Sequence, residues 1–237
     1  MFGSILDLVF PKFCVGCKKE GEWICANCLD AIRFLENQNC PDCHKPNIFG
    51  EICSDCKGGY SLDGALVVAD YQEKIIEEIV KKMKYSFVRD LGKNIGDLLA
   101  VFFIEFKETI QGLKNNHFDF DNCLVMPVPL HQKRLRWRGF NQAEIIADRF
   151  VSPFDLKADY LALGRKRYSR PQARLKKEER TKNILNNFFY QGDYLSGRNV
   201  LLVDDVITSG ATLNECAKVL KDNGAGKVWG LAFARNA

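Results

Sequence analysis

The sequence predicts an α/β fold: a doubly wound, mostly parallel sheet preceded by a small cysteine-rich module. Three observations predict it. Short apolar runs alternate with segments of helical periodicity from residue 60 onward. One of those runs, Val200-Leu-Leu-Val203, passes through two acids and a Thr/Ser/Gly turn straight into a helical pattern. Eight of the ten cysteines are crowded into residues 14–56 as four C-x-x-C pairs. The division this suggests is residues 1–59 for the cysteine module and 60–237 for the α/β domain.

Each element follows from its local pattern. Ile5, Val9 and Phe10 suggest a short helix docked on the body. Residues 65–69 read as a strand. Residues 73–85 read as a helix with Ile75, Ile76, Ile79 and Met83 on one face. A second helix spans 91–106, and a polar linker runs from there to Phe120. Residues 123–128 form a strand that Pro127 and Pro129 bring to an end. Asn141 can cap a helix over 141–150, which buries Ala143, Ile146, Ala147 and Phe150. Short strands follow at 160–163 and 187–190. The buried strand 200–203 leads to a helix over 213–223, with Leu213, Cys216, Ala217 and Leu220 inward, stopped at Asn223-Gly224. A last strand covers 228–234.

Composition bounds the class. The chain has 237 residues, 46% of them hydrophobic, enough for a packed core plus a small module. No run is long and apolar enough to span a membrane. Met1 to Phe10 lacks a basic start and contains Asp7, so it does not read as a signal peptide. A cytoplasmic protein is expected. The net charge of +4 is unevenly spread. Residues 133–138 and 165–182 hold 13 of the 34 basic side chains and 2 of the 30 acids. So concentrated a field implies an anionic partner.

The cysteine pairs are Cys14/Cys17, Cys25/Cys28, Cys40/Cys43 and Cys53/Cys56. A C-x-x-C knuckle offers two thiolates on one tight turn, and a tetrahedral zinc site needs four. Eight cysteines therefore make about two structural zinc sites. Sequential pairing is adopted, although a cross-braced arrangement also satisfies the spacing. Disulfides are disfavoured by the expected reducing compartment. A module this short has little core of its own, so metal is expected to fold it. His44 stands where such a knuckle often has Gly. Residues 1–59 carry six basic and eight acidic side chains. Each tetrathiolate site adds a formal −2, so the module reads as a dock or brace and not as a phosphate binder. Cys123 and Cys216 read as buried packing residues.

The stretch Val200-Leu-Leu-Val-Asp-Asp-Val-Ile-Thr-Ser-Gly-Ala-Thr212 is an anion cradle by its pattern. Backbone N–H groups and the positive end of a helix converge after the strand, and Thr208, Ser209 and Thr212 add hydroxyls. Asp204 and Asp205 beside such a cradle suit a sugar phosphate. A second loop, from Met126 through Lys133, Arg134, Arg136, Arg138 and Gly139 to Gln142, gathers charge at the carboxyl edge of the sheet, where open α/β folds bind ligands. A third basic loop covers 165–182. Neither His117 nor His131 has a partner pattern, and neither is assigned a catalytic role.

The thirteen residues from Val200 to Thr212 resemble the PRPP-binding motif of type I phosphoribosyltransferases. The Arg138-Gly-Phe-Asn-Gln142 segment and the basic pattern of 165–182 resemble the ComF family, whose order of knuckles, basic loop and PRPP motif this chain follows over nearly its whole length. The resemblance, closest to the ComFC- and GntX-like group, implies a phosphoribosyltransferase-type fold with an N-terminal double zinc ribbon. It implies ribose contacts from Asp204 and Asp205, and a 5'-phosphate loop at Thr208, Ser209, Gly210, Ala211 and Thr212. Pyrophosphate or DNA phosphate would fall to Arg134, Arg136, Arg138 and Gly139, with Mg2+ accompanying PRPP. It further implies a role in natural transformation, handling single-stranded DNA in the cytoplasm, with a DNA-translocating helicase as partner. Whether PRPP chemistry occurs stays open at this stage. An active phosphoribosyltransferase acting on a nucleobase is the alternative. No polar reader of a base stands out in 60–106, which leans toward the binding role.

Overall fold

The computed structural model describes residues 11–47, 49–111, 118–166 and 186–236. The expected helix at the extreme N-terminus and nearly all of the third basic loop lie outside these residues.

The centre is a five-stranded, all-parallel sheet. It is built from β3 (Gly64–Asp70), β4 (Leu124–Pro127), β5 (Lys157–Ala158), β8 (Val200–Ile207) and β9 (Val228–Arg235), in the order β3-β9-β8-β4-β5. Strands β8 and β9 are almost wholly buried because both faces of the sheet are covered, as parallel sheets require. Along β8, Leu201 and Val203 enter one core, while Val200 and Leu202 enter the other. The first core is shared with helices α2 (Lys74–Tyr85), α3 (Asp90–Gln111) and α5 (Gln142–Val151). The second lies under α6 (Ala211–Asp222) and a hairpin of β6 (Leu163–Arg165) and β7 (Phe188–Tyr190). Helices α3 and α5 lie so close that a Cβ on Gly96 would sit 2.8 Å from the Ile146 carbonyl oxygen.

Three segments differ from the sequence reading. Helix α3 runs past 106 to Gln111, through the expected linker. Lys107 anchors this extra turn by pairing with Asp121 and lying 5.9 Å over the Phe103 ring. The strand expected at 160–163 is a turn. Asp159 accepts from the N–H groups of Leu161 and Ala162, both at 2.9 Å, and pairing resumes only at Leu163. The basic loop at 133–138 is a two-turn helix, α4 (Gln132–Arg138). The His131 ring caps it by accepting from the Lys133 N–H at 3.1 Å, and Gly139 closes it in the left-handed conformation at φ 82°.

The cysteine module holds a short helix, α1 (Ala26–Asp30), and a tiny hairpin of β1 (Gln38–Asn39) and β2 (Pro46–Asn47). It does not stand apart from the α/β domain. Val15, Ile24 and Ile32 are buried in the same core as α2 and α3. Gln38 covers the free edge of β3: its amide donates to the Val67 carbonyl at 3.0 Å and accepts from the Val67 N–H at 2.8 Å. Gly50, at φ 72°, brings its carbonyl within 2.8 Å of the Ala65 N–H. An edge strand presents unpaired backbone groups, and the module satisfies several of them.

Candidate functional site

The β8–α6 junction forms as its residues suggest. The strand continues through both acids to Ile207, and Gly210 at φ 68° turns the chain into α6. Gly210 provides no side-chain cap, and the first turn of α6 has no acid. The leading N–H groups therefore keep their positive potential, which favours an anion. Ser209 is 5% exposed, and its buried Oγ has no hydrogen-bond partner in the protein. A buried hydroxyl without a partner costs free energy unless a ligand completes it.

Asp204 and Asp205 lie just before this turn. Burial, together with the charge of Asp205, pushes the Asp204 carboxyl up to about 7, against a partial counter-effect from Lys84. Lys84, at the end of α2, reaches across to Asp205 with Nζ 2.8 Å from Oδ1. Arg138 closes the site from α4. Its guanidinium is partly buried, its Nε has no protein partner, and burial lowers its pKa while Asp205 draws it back up. Arg165 sits on β6, where burial again lowers its pKa and both Arg134 and Asp204 are close enough to act on its charge. The structure thus gathers Asp204, Asp205, Ser209, Gly210, Ala211, Arg134 and Arg138 at the carboxyl edge of the sheet. Arg136 lies on the exposed side of α4.

The eight predicted cysteines form two clusters, Cys14/Cys17/Cys25/Cys28 and Cys40/Cys43/Cys53/Cys56, in sequential pairing. Within each, the four Sγ atoms lie within 4.8 Å of one another. Sulfur–sulfur separations of 3.6 to 3.7 Å match the roughly 3.8 Å edge of a tetrahedron with 2.3 Å Zn–S bonds. Both clusters fit structural zinc. The His44 departure has a physical reading. His44 adopts φ 62° and Lys18, its counterpart in the first cluster, φ 64°, a region where Gly is unstrained and other residues are uncommon.

Two residues were missed by sequence reasoning. Lys84 meets Asp205 from another element. Tyr60, just beyond the second cluster, donates its hydroxyl to the Ser209 carbonyl at 3.0 Å. The Cys40–Cys43 knuckle also touches the loop: a Cβ on Gly210 would lie 3.2 Å from the Pro41 carbonyl oxygen. Asn214 of α6 accepts from the N–H groups of Ser61 and Leu62, at 2.7 and 3.1 Å.

Comparison with known proteins adds a frame. The double zinc ribbon domain family matches residues 5–57, and the phosphoribosyl transferase domain family matches residues 137–234. Competence protein ComFC of Bacillus subtilis (strain 168) is 24% identical over 210 residues, covering 87% of this chain and 81% of that protein. Competence protein F of Haemophilus influenzae is 27% identical, covering 89% and 96%. DNA utilization protein YhgH of Escherichia coli (strain K12) is 28% identical, covering 93% and 96%. Among the described residues, no helix is long and apolar enough to cross a membrane.

Proposed function

We propose that this chain, which belongs to the ComF family of proteins joining a double zinc ribbon to a phosphoribosyltransferase domain, handles single-stranded DNA in the cytoplasm during DNA uptake. On this reading it carries a PRPP site on the same face. The observation that carries the proposal is the convergence at the carboxyl edge of β8. A buried hydroxyl without a partner, an uncapped helix start, a carboxylate pair and the basic helix α4 meet there. Thr208, Ser209, Gly210, Ala211 and Thr212 would hold the 5'-phosphate. Asp204 and Asp205 would accept from the ribose hydroxyls. Arg134, Arg136, Arg138 and Gly139 would meet pyrophosphate or DNA phosphates. Mg2+ arriving with PRPP would neutralise pyrophosphate charge while needing few protein ligands. The names of the relatives, competence protein and DNA utilization protein, support the DNA-handling role, and a DNA-translocating helicase is the partner such a role would call for.

Calorimetry with PRPP and Mg2+, alone and in competition with single-stranded DNA, tests the reading. Asp204→Asn with Asp205→Asn removes the acceptor pair, and the charged Asp205 alone is worth roughly 1.5–3 kcal/mol, so PRPP affinity should fall at least about tenfold. Unchanged affinity in the folded double variant would show the motif to be structural. If about five phosphates are neutralised, log K for single-stranded DNA should fall against log salt with a slope near −3.5, and Arg134→Ala, Arg136→Ala and Arg138→Ala together should flatten it.

One observation favours the second reading, an active phosphoribosyltransferase acting on a nucleobase. Lys84 sits 2.8 Å from Asp205 with Asp204 next to it in the strand, and burial with the Asp205 charge raises the Asp204 pKa, an arrangement suited to proton transfer near neutral pH. Release of pyrophosphate from PRPP on adding candidate bases, lost in Asp204→Asn, would support it.

A further inference from the structure

Beside the acid pair, the end of α2 and the length of α4 lie together and leave an unusual surface. Nine large hydrophobic side chains are well exposed among the described residues, and four of them are here: Tyr85, Phe87, Leu135 and Trp137. Trp137 and Tyr85 are each 61% exposed. Phe87 and Trp137 meet edge to face with ring centroids 5.0 Å apart, so the indole is held in one orientation. Phe87 achieves this from a left-handed backbone, φ 58°, which is uncommon for a bulky residue. Single exposed apolar residues are ordinary, but a strained backbone that keeps an aromatic pair in solvent is not.

The charge around the patch selects its occupant. Helix α4 carries Lys133, Arg134, Arg136 and Arg138 and no acid. The Tyr85 hydroxyl lies close enough to Arg138 to act on its charge. A protein partner using an apolar anchor would place Trp137 in a desolvated setting, whereas four cations in two turns call for a polyanion. Aromatic faces interleaved with cations are how sequence-tolerant proteins hold single strands: bases stack on the rings while phosphates run along the basic side chains.

We propose that Trp137, held by Phe87 and joined by Tyr85, is the base-stacking platform on which single-stranded DNA is gripped, with the α4 cations tracking its phosphates. This rests on the reading that the protein handles single-stranded DNA and names the part of the surface that would do so. The surface predicts a sequence-tolerant grip, because every base has a π face.

The test uses the full-length protein with a ten-residue oligothymidine and an abasic phosphodiester of the same length, at two or more salt concentrations. Trp137→Ala should weaken oligothymidine binding about tenfold or more, leave abasic binding unchanged and keep the salt slope. Trp137→Phe should restore most of the affinity. Trp137 should also dominate the fluorescence quenching by oligothymidine, because Trp229 is buried and Trp23 is half-buried with Lys82 over its ring. Unchanged oligothymidine affinity in Trp137→Ala would overturn the platform while leaving DNA binding by the basic residues standing. Equal losses on both oligomers would also overturn it, since bases would then not be what the ring grips. Quenching by a free nucleobase with PRPP but not by the oligonucleotide would reassign the patch to an acceptor base. If the wild-type protein binds neither oligomer, the single-strand reading fails, and the platform with it.

Discussion

The two zinc clusters are built alike and placed differently. In each, the residue after the second cysteine is left-handed and its N–H donates to the carbonyl of the first cysteine, Lys18 to Cys14 and His44 to Cys40, both at 3.0 Å. In each, the third and fourth cysteines form one turn closed at 3.0 Å, Cys28 to Cys25 and Cys56 to Cys53. The surroundings then diverge. The first cluster is packed into the helical side of the domain. A Cβ on Gly16 would lie 3.0 Å from Ile75 of α2, Val15 and Ile24 are core residues, and Lys82 lies 5.0 Å over the Trp23 ring. The second cluster touches the β8–α6 turn through Pro41 and Tyr60. Its Cys40 is the charge acting on Arg235, a buried guanidinium at the end of β9 whose three nitrogens have no protein hydrogen-bond partner. A tetrathiolate site of formal −2 is a fitting counter-charge for it. One ribbon therefore reads as a staple for the core and the other as a buttress for the β8–α6 turn.

Disabling each cluster in turn gives the largest effect. Cys14→Ser with Cys17→Ser should lower global stability by several kcal/mol, because binding free energy of a structural zinc is folding free energy and this site is continuous with the main core. Cys40→Ser with Cys43→Ser should cost less stability but reduce PRPP affinity about tenfold. Each variant should retain about one zinc per chain. Thermal melts, metal analysis and calorimetry check all three. Equal losses of stability and affinity in the two variants would erase the distinction between staple and buttress.

How much of this was legible beforehand depends on the range of each interaction. The knuckles, the β8–α6 turn and the Asn141 cap are local patterns, and the structure places them as the spacing suggested; Asn141 accepts from the Ala143 N–H at 3.2 Å. Helix α4 carries no helical signal in the sequence, because it has no apolar stripe and an imidazole cap is not among the usual start signals. The Lys84–Asp205 and Tyr60–Ser209 contacts join residues far apart in the chain, so no periodicity announces them. The Phe87–Trp137 pair was hidden for the same reason, and because an aromatic residue in a sequence carries no mark of being exposed.

A pH profile offers a middle-sized effect that separates the two sides. The Asp204 carboxyl keeps its proton up to about 7 in the folded protein, whereas an unfolded Asp releases it near 3.8. The folded state therefore binds more protons between those values, and this group's contribution to stability falls as pH rises from about 4 to about 7, then levels off. Asp204→Asn removes the cost, so the variant should be more stable than wild type above pH 7, by about 2 kcal/mol after allowance for partial solvent access, and should show no gain at pH 4. Urea melts at the two pH values check this. The second-cluster variant should shift the profile, since it disturbs the loop beside Asp204, whereas the first-cluster variant should lower the whole curve without changing its shape.

The smallest effect isolates the buttress itself. Tyr60→Phe keeps the ring and removes one hydroxyl, so the donation to the Ser209 carbonyl is lost, together with the hydroxyl's contact with Asp42 of the same ribbon. A single neutral hydrogen bond contributes about 1 kcal/mol net, which corresponds to roughly a fivefold change in an equilibrium constant. If that bond fixes the loop geometry, PRPP affinity should fall about threefold to fivefold with zinc content intact and the melting temperature nearly unchanged. The matching probe on the other ribbon is Lys82→Ala, which removes the cation from the Trp23 face. It should cost about 0.5–1 kcal/mol of stability and leave PRPP affinity unaltered. Opposite responses of these two mild variants would locate the functional coupling in the second ribbon without disturbing either metal. A Tyr60→Phe protein with wild-type affinity would mean that Pro41 and the backbone of Gly210 hold the loop unaided.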